Sequence, residues 1–230
     1  MDLQQRAKSY KLPIYSPEYL HYKHLNNNLI AAINIYTRGK VLDIGCGNKP
    51  FNNEFKALSE QSSDEVVDVI CSATDLPFAQ NTFDTIFTTQ VLEHVAEHQT
   101  MLNEAFRVLK PGGYIILSAP MAWHHHEVPY DFFRFTRYGM AHIFGKAGFT
   151  TEAIIPNGGK WATAGQLLIN NLRLSLENAR SPAKKFGYLL YRITFVKLWI
   201  NLLFGALDNS DKDQGNIFTM NHIVIAQKPL

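Results

Sequence analysis

The stretch Val41-Leu42-Asp43-Ile44-Gly45-Cys46-Gly47 decides the fold of this chain. A short apolar run that leads directly into a glycine-rich turn is typical of a buried parallel strand ending at a ligand-binding loop. Gly45 and Gly47 would let the backbone approach a ligand closely, because glycine has no Cβ in the way. The stretch therefore predicts an α/β fold with a ligand site at the carboxyl end of its first strand.

The composition fits a folded α/β protein and argues against several other classes. The 230 residues are 46% hydrophobic and 18% charged, which is enough apolar material for a buried core. The chain has 22 basic and 20 acidic residues, the basic ones dispersed, so no nucleic-acid partner is expected. Two cysteines fit a reducing compartment, and the polar first residues lack the apolar region of a secretory signal. We therefore expect a cytoplasmic protein.

Strand-like and helical patterns alternate along the chain, which predicts a doubly wound, mostly parallel sheet. Apolar runs predict strands at 41–44, 66–70, 82–89, 114–118, 149–155 and 222–226. Three- and four-residue spacing of apolar residues predicts helices at 16–39, 52–59, 101–109, 136–146, 161–179 and 182–207. We expect one domain with these parts: an N-terminal helical cover over 1–39, a core over 40–155, a helical insertion over 156–215 and a final strand within 216–230.

Asp43 and the residues after the turn distinguish between two kinds of ligand. A dinucleotide-binding turn normally has a third glycine and meets a pyrophosphate at a helix N-terminus. Here Asn48-Lys49-Pro50-Phe51 follows the turn, and the Asp43 carboxylate would repel a phosphate. Asp43 suits a cation instead, such as the amino group of a methionine moiety beside a sulfonium. A nicotinamide-dependent oxidoreductase and a tight turn in an unrelated α/β fold stay as alternatives.

Five motifs follow one another in order within Val41 to Phe149. They are Val41-Leu42-Asp43-Ile44-Gly45-Cys46-Gly47, Asp75-Leu76-Pro77-Phe78, Asn81-Thr82-Phe83-Asp84, Val91-Leu92-Glu93-His94-Val95 and Arg107-Val108-Leu109-Lys110-Pro111-Gly112-Gly113. Together they resemble the class I S-adenosylmethionine-dependent methyltransferases, and most closely the type 11 methyltransferase domain. The resemblance implies a Rossmann-like sheet of seven strands, the second shortened or missing, with a helical insertion before the last strand. It also implies methyl transfer as the activity and S-adenosylmethionine as the cofactor.

The resemblance further implies a cofactor site at the carboxyl ends of the strands. The methionine part of the cofactor would lie along the glycine turn, with Cys46 as a small spacer, and the adenine would lie along a later loop. The residues so implied are Asp43, Gly45, Cys46 and Gly47 at the methionine part, Ala73, Thr74, Asp75 and Leu76 at the adenine, and Gln90 under the methyl-bearing sulfur.

Two positions depart from the family pattern. Family members carry an acid at the end of the second strand that holds the ribose hydroxyls, and region 52–65 is too short for a full helix, a strand and that acid. Glu60, Asp64 and Glu65 are the candidates to replace it, and none of the three follows an apolar run. Ser72 stands where the family usually has an acid that meets the adenine amino group. Losing such a clamp would weaken cofactor binding, because charge-assisted hydrogen bonds are the stronger kind. The alternative function is a degenerate methyltransferase fold that acts as a binding or scaffold protein.

Histidines and aromatic residues are dense after Pro120, and Trp123 to Phe135 is expected to form a lid or wall over the acceptor. The run 130–136 resembles a methyltransferase subgroup associated with bacterial surface-glycan and natural-product pathways, which implies a small-molecule, glycan or lipid-linked acceptor. An oxygen acceptor must lose a proton, and a histidine or carboxylate could take it. The residues proposed for these roles are His94, His126 and Glu127 as the base, and Trp123, Tyr130, Asp131 and Arg134 as acceptor-binding groups.

The run His124-His125-His126-Glu127 invites a metal interpretation, which we weigh against a structural one. Adjacent histidines in a strand or loop point in different directions, and no second cluster lies at ligand spacing in the sequence. A lid or structural role is therefore the prediction, with no metal expected.

The apolar stretch Phe186 to Leu207 contains Arg192 and Lys197, and two charges in mid-span are costly in a bilayer. The stretch is therefore interpreted as a buried or interfacial helix, and we predict that it packs against the body of the protein. The alternative is peripheral contact of 182–207 with an anionic membrane surface, which Lys184 and Lys185 would favour.

Overall fold

The computed structural model describes residues 12–47, 51, 69–177, 181–193, 195–212 and 217–230. The chain divides into two compact units. The first contains Asn27–Ile155 and Asn221–Leu230, and the second contains Tyr10–Asn26 and Pro156–Met220. The expected division at 39, 155 and 215 stays a prediction.

A five-stranded sheet forms the centre of the first unit, with the strand order β1-β2-β3-β5-β4. The strands are β1 (Val41–Asp43), β2 (Phe83–Thr89), β3 (Leu109–Pro120), β4 (Thr150–Asn157) and β5 (Asn221–Gln227). β1, β2 and β3 pair in parallel, and β5 pairs with β3 in the antiparallel direction. The predicted α/β, Rossmann-like sheet is confirmed, with five strands in the described part of the chain.

The register brings the carboxyl ends of the parallel strands to one edge of the sheet. Asp43 pairs with Phe87, and Thr89 pairs with Ser118, so β1 and β2 end close to the same level of β3. Ligands bind at this edge in open α/β sheets. The chain segments that follow β1, β2 and β3 therefore build the functional site.

Two helices of the first unit bury apolar faces in a core shared with the sheet. They are α2 (His98–Val108) and α3 (Arg137–Ala147). Leu102 and Phe144 are fully buried in this core with Ile115 and Val224 of the sheet. Thr136 caps the start of α3, since its Oγ1 accepts a 3.1 Å hydrogen bond from the Gly139 N–H.

Asp84, a motif residue, holds the amino end of β2 in place. Its carboxylate accepts hydrogen bonds from the Lys40 N–H at 2.9 Å and the Lys110 Nζ at 2.8 Å. Desolvation raises the pKa of Asp84, but these two hydrogen bonds and the charge of Lys110 bring it below its usual value. Asp84 therefore ties together the entries to three strands, a structural role.

The second unit contains three helices together with the first part of α1 (Tyr19–Tyr36). The three are α4 (Lys160–Glu177), α5 (Pro182–Ile193) and α6 (Val196–Ser210). Buried polar side chains hold the N-terminal segment to these helices. Gln166 Nε2 donates to the Pro17 carbonyl at 2.7 Å, and Asn201 Nδ2 donates to the Ile14 carbonyl at 2.6 Å.

Asp208, near the end of α6, caps the start of α4. Its two carboxylate oxygens accept hydrogen bonds from the Gly159 N–H at 3.0 Å and the Ala162 N–H at 2.9 Å. An acid at this position satisfies N–H groups that lack helical partners and complements the positive end of the helix. Residues 208–210 continue α6 beyond the predicted helix end at 207.

Several predicted element boundaries are wrong. The helix expected over 182–207 is two helices, α5 and α6, and β4 extends to Asn157, beyond the predicted strand end at 155. Val69 and Ile70, expected in a strand, lie outside the sheet with Ile70 96% exposed, because an apolar run forms a strand only where a pairing edge is offered. Residues 66–68 and the expected helix at 52–59 lie outside the described residues.

The side of α6 that is buried is polar, and its aromatic side is exposed. Asn201, Gly205 and Asp208 are buried, whereas Phe195 just before the helix and Trp199 within it are 68% and 67% exposed. The prediction that this stretch buries its apolar residues is wrong at these positions, because the hydrogen bonds of Asn201 and Asp208 fix the opposite face inward. Among the described residues, no helix combines the length and the hydropathy needed to cross a membrane.

Candidate cofactor and acceptor site

The glycine turn after β1 contains two glycines with different surroundings. Gly45 has φ +73°, and a Cβ built there would lie 2.5 Å from Val91 Cγ2, so this glycine lets the turn pack on the segment after β2. Gly47 has φ +52°, and a Cβ there would meet no atom of the described residues within 4 Å. The turn is therefore closed at Gly45 by the protein and open at Gly47, where a ligand can approach.

Gln90 follows β2 with a left-handed backbone, φ +54°, which is uncommon for a residue with a side chain. Its N–H donates to the Ser118 carbonyl at 2.9 Å, and its Nε2 donates to Ser118 Oγ at 3.2 Å. Residues held in such conformations cluster at ligand sites because the surrounding structure must enforce them. Gln90 is thus fixed at the carboxyl edge of the sheet, next to the segment that packs on Gly45.

The loop at 72–78, expected at the adenine, is held in shape by its own turn and by α2. Ser72 accepts the Asp75 N–H at its carbonyl and the Thr74 N–H at its Oγ. Glu104 of α2 accepts the Leu76 N–H at 2.9 Å. The backbone of this loop therefore has a defined shape.

Arg107 fastens the same loop from α2. Its guanidinium donates to the Leu76 and Phe78 carbonyls at 2.9 and 2.7 Å, and it binds both oxygens of Glu104. The Arg107 hydrogen bond lowers the pKa of Glu104 below its usual value. The arginine of the fifth motif therefore has a positioning role, and its partner Glu104 was not identified from the sequence.

Three groups proposed as the general base meet around a buried carboxylate. Glu93 lies in a 3-10 turn, Leu92–His94, and its side chain is fully buried. His94 Nε2 is 3.8 Å from Glu93 Oε1 and 3.7 Å from Glu127 Oε2, and His126 Nε2 is 4.0 Å from Glu93 Oε1. The structure thus brings His94, His126 and Glu127 together and adds Glu93, which the sequence analysis did not single out.

The hydrogen bonds of His94 define which of its ring nitrogens carries a lone pair. Its Nδ1 lies 2.6 Å from the Tyr130 carbonyl oxygen, which can only accept, so the proton is assigned to Nδ1. In the neutral ring, Nε2 therefore presents a lone pair toward Glu93 and Glu127. Burial lowers the pKa of His126. Asp131 raises it in part, and the nearby His94 and Arg134 lower it further.

Asp131 and Arg134 hold the segment that carries His126. Two guanidinium nitrogens of Arg134 donate to the two Asp131 oxygens at 2.6 and 2.8 Å, and Arg134 also donates to the carbonyls of Trp123 and His124. The hydrogen bond from Arg134 holds the pKa of Asp131 far below its usual value. Asp131 in turn accepts the His126 N–H at 3.1 Å. Both side chains thus position the segment, and their expected contact with an acceptor stays a prediction.

The segment from Trp123 to Phe135 lies at the same edge of the sheet as the glycine turn. The N–H groups of Phe132 and Phe133 donate to the Glu93 carbonyl, and the Phe135 N–H donates to the Pro120 carbonyl at 2.8 Å. Trp123 is partly buried, and Tyr130 is 66% exposed. The segment is thus placed where a lid would be needed, and its role as a lid stays a prediction.

Comparison with known proteins identifies the domain type. Residues 42–117 match the family described as the methyltransferase domain, of type 11. A ubiquinone/menaquinone biosynthesis C-methyltransferase of Cereibacter sphaeroides is 42% identical over 62 residues, which are 27% of this chain and 25% of that protein. The chain thus matches about a quarter of the length of that relative.

Two solved structures share the fold. An S-adenosylmethionine-dependent methyltransferase from Mesorhizobium loti superposes with a TM-score of 0.52 at 13% identity, covering 92% of this chain and 98% of that one. The [4+2]-cyclase SpnF superposes with a TM-score of 0.54 at 16% identity, covering 91% of this chain and 83% of that one. Because a cyclase is among these structures, the fold alone does not define the reaction.

Proposed function

Since residues 42–117 form a class I methyltransferase domain, whose cofactor is S-adenosylmethionine, we propose that the chain transfers a methyl group from this cofactor to a small-molecule acceptor. The observation that carries the proposal is the glycine turn of that domain, open at Gly47 and placed at the carboxyl edge of the sheet. Methyltransferases and a cyclase share the fold, so the turn and its neighbours carry the argument for activity.

The residues present fit the cofactor. The open space at Gly47 would receive the methionine part, with the Asp43 carboxylate pairing with its amino group. The backbone of the 72–78 loop, held by Glu104 and Arg107, would border the adenine. Gln90, fixed in a strained conformation by Ser118, would lie near the sulfur.

The cofactor, when bound, supplies an electrophilic methyl group on a sulfonium, and the chain supplies position and proton removal. The groups gathered at Glu93 are suited to the second task. His94 Nε2 and His126 Nε2 both face that buried carboxylate, which would stabilise the charge that an imidazole gains on accepting a proton. His94, His126 and Glu127 are the proposed bases.

The proposed acceptor is a small molecule, a glycan or a lipid-linked compound. The run 130–136 supports the glycan class, and the Cereibacter relative, named as a C-methyltransferase of ubiquinone/menaquinone biosynthesis, supports a quinone-like small molecule. The exposed Phe195, Trp199 and Leu203 of the second unit favour a lipid-linked acceptor, because aromatic and aliphatic side chains bind the headgroup boundary of a membrane. Flotation with anionic vesicles tests this contact: Trp199→Ser should reduce binding, whereas Ile35→Ser, an equally exposed apolar change on α1, should not.

Calorimetry with S-adenosylmethionine and with S-adenosylhomocysteine tests the cofactor proposal. Asp43→Asn removes the charge expected to meet the methionine amino group and should weaken binding by tenfold or more, at about 1.4 kcal/mol per tenfold. Glu152→Gln is the matched control: it removes the charge of an exposed carboxylate on β4 and should leave the cofactor affinity unchanged. Failure of the unaltered protein to bind either compound would overturn the proposal in favour of a binding or scaffold protein.

Gly47→Ala provides a second test that does not depend on charge. It places a methyl group in the open space of the turn and should reduce cofactor affinity. Gly112→Ala is the control for backbone strain. Gly112 also has a left-handed backbone, φ +77°, near the Leu230 side chain, so an alanine there should cost a similar strain of about 1 kcal/mol. Equal cofactor affinity in the two variants would remove Gly47 from the site.

A further inference from the structure

From the arrangement of Glu93, His94 and His126 we infer a binding site for a divalent metal of the zinc type. One ligand atom from each residue, a carboxylate oxygen or a ring nitrogen, lies within 4.8 Å of the other two. Two imidazoles and one carboxylate are a ligand set that zinc takes in catalytic sites, where a fourth position stays open. The residues come from two segments distant in sequence, the 3-10 turn after β2 and the run after β3.

Burial favours a cation at this position. The Glu93 side chain is fully buried, and those of His94 and His126 are only 12% and 15% exposed. A carboxylate taken out of water is costly, and a positive ion held by it offsets that cost. Two imidazole nitrogens and one carboxylate oxygen therefore offer lone pairs to an ion at one largely buried position.

A hydrogen bond orients the imidazole of His94, and a carboxylate lies close to the second ring nitrogen of His126. His94 Nδ1 donates to the Tyr130 carbonyl at 2.6 Å, which leaves Nε2 for the metal. His126 Nδ1 lies 3.6 Å from Asp131 Oδ2, and Arg134 holds that carboxylate in place. A metal-bound histidine typically directs its other ring nitrogen to a carbonyl or a carboxylate, and here each of the two has one.

Only small movements would close the site. Two ligand atoms lie roughly 3.3 Å apart when each is about 2.0 Å from a zinc in a tetrahedron. The Glu93 oxygen is 3.8 Å from His94 Nε2 and 4.0 Å from His126 Nε2, and all three ligand atoms lie within 4.8 Å of one another, so each separation would have to shorten by at most about 1.5 Å.

Glu127 and the acceptor compete for the remaining position. Glu127 Oε2 is 3.7 Å from His94 Nε2, and its side chain is 32% exposed, so it can reach the metal or turn away. An acceptor hydroxyl bound in its place would lose its proton more readily, because a metal lowers the pKa of a bound oxygen. The displaced Glu127 carboxylate would accept that proton, while His94 and His126 serve as metal ligands. The site thus deepens the proposed function by assigning deprotonation to a metal, although metal binding itself can be measured without methyl transfer.

Metal binding is tested on chelator-stripped full-length protein by competition for Zn²⁺ with a chromophoric chelator, and by the visible spectrum of bound Co²⁺. We expect the protein to bind one equivalent of Zn²⁺, and bound Co²⁺ to show the visible spectrum of an ion with low coordination number. Glu93→Gln and His126→Gln should each lower the Zn²⁺ affinity by tenfold or more. His125→Gln is the matched control, because this neighbouring histidine is 89% exposed and lies outside the cluster.

Thermal unfolding with and without Zn²⁺ separates loss of ligand from loss of fold. The unaltered protein and His125→Gln should gain stability with Zn²⁺, and a folded His126→Gln variant should not. Absence of Zn²⁺ binding, or equal weakening by His125→Gln and His126→Gln, would overturn the site. S-adenosylmethionine binding is measured on the same metal-free protein, so failure of the cofactor proposal is distinguishable from failure of the metal site.

Discussion

The interiors of the two units differ in chemistry. The sheet of the first unit is buried through apolar side chains such as Ile115 and Phe144. The second unit buries apolar side chains such as Ile169 as well, but it adds the buried polar side chains Asn201 and Asp208 and leaves Trp199 exposed. Apolar packing stabilises both units, and hydrogen bonds to buried polar side chains contribute more in the second, so their stabilities should respond differently to the loss of such a side chain.

Phe144→Ala should have the largest effect. Phe144 is fully buried on α3 against Phe149, and truncation of a buried phenylalanine typically costs about 3–5 kcal/mol of unfolding free energy. Urea denaturation measures the loss. Tyr138→Ala on the same helix is the control, since Tyr138 is 84% exposed and should cost little. A small effect at Phe144 would contradict an apolar interior in this unit.

Asp208→Ala should come next, although it removes almost no apolar surface. The variant leaves the Gly159 and Ala162 N–H groups without their acceptor, and buried hydrogen bonds to a charged group contribute about 1.5–3 kcal/mol. Urea denaturation should therefore show a loss of about 2 kcal/mol or more. Asp208→Asn keeps one acceptor and should lose less; equal losses would mean that the cap is not what the carboxylate provides.

His24 should make a smaller contribution, which depends on pH, to the stability of the second unit. Burial lowers the pKa of His24, the charge of Lys23 lowers it further, and Asp208, 3.7 Å away, raises it. The folded protein thus binds a proton at His24 less readily than the unfolded chain, so stability is lost as the pH falls below about 6.5. Urea midpoints compared between pH 7.5 and pH 5 should fall less for His24→Gln than for the unaltered protein. An identical fall would remove His24 as a contributor.

Trp199→Ser should have the smallest effect on stability. The side chain is 67% exposed, and surface substitutions usually change the unfolding free energy by less than about 0.5 kcal/mol. Thermal and urea unfolding check this. A loss comparable to that of Asp208→Ala would show that the exposed aromatic side of α6 is part of the interior after all.

The same contrast explains what the sequence could predict. The sequence predicts strands at 41–44 and 82–89, and the structure has them, since a short apolar run bounded by turn residues usually forms a buried strand in an α/β chain. The apolar stretch at 186–207 was misjudged, because its inward face is chosen by Asn201 and Asp208 through partners far away in sequence. Periodicity records where apolar residues fall, but it does not record which side chains find hydrogen-bond partners.

Part of the candidate site could likewise be predicted from the sequence, and part could not. The glycine turn at 45–47 could be predicted because an apolar strand and two glycines are contiguous in the sequence. The approach of His126 to Glu93 could not, because it requires the segment after β3 to fold back on the segment after β2. The sequence signal for Glu93 was its place in the motif Val91-Leu92-Glu93-His94-Val95, which begins two residues after the end of β2.

The strand order β3-β5-β4 has a consequence for how the protein forms during synthesis. β5 is made last of the three, yet it lies between the other two. While the ribosome is still translating residues before 221, β3 offers a bare edge and β4 has no neighbour in its final position. The sheet can therefore be completed only by late insertion of a strand into its middle, and the growing chain would be exposed to chaperones and to mispairing until that step.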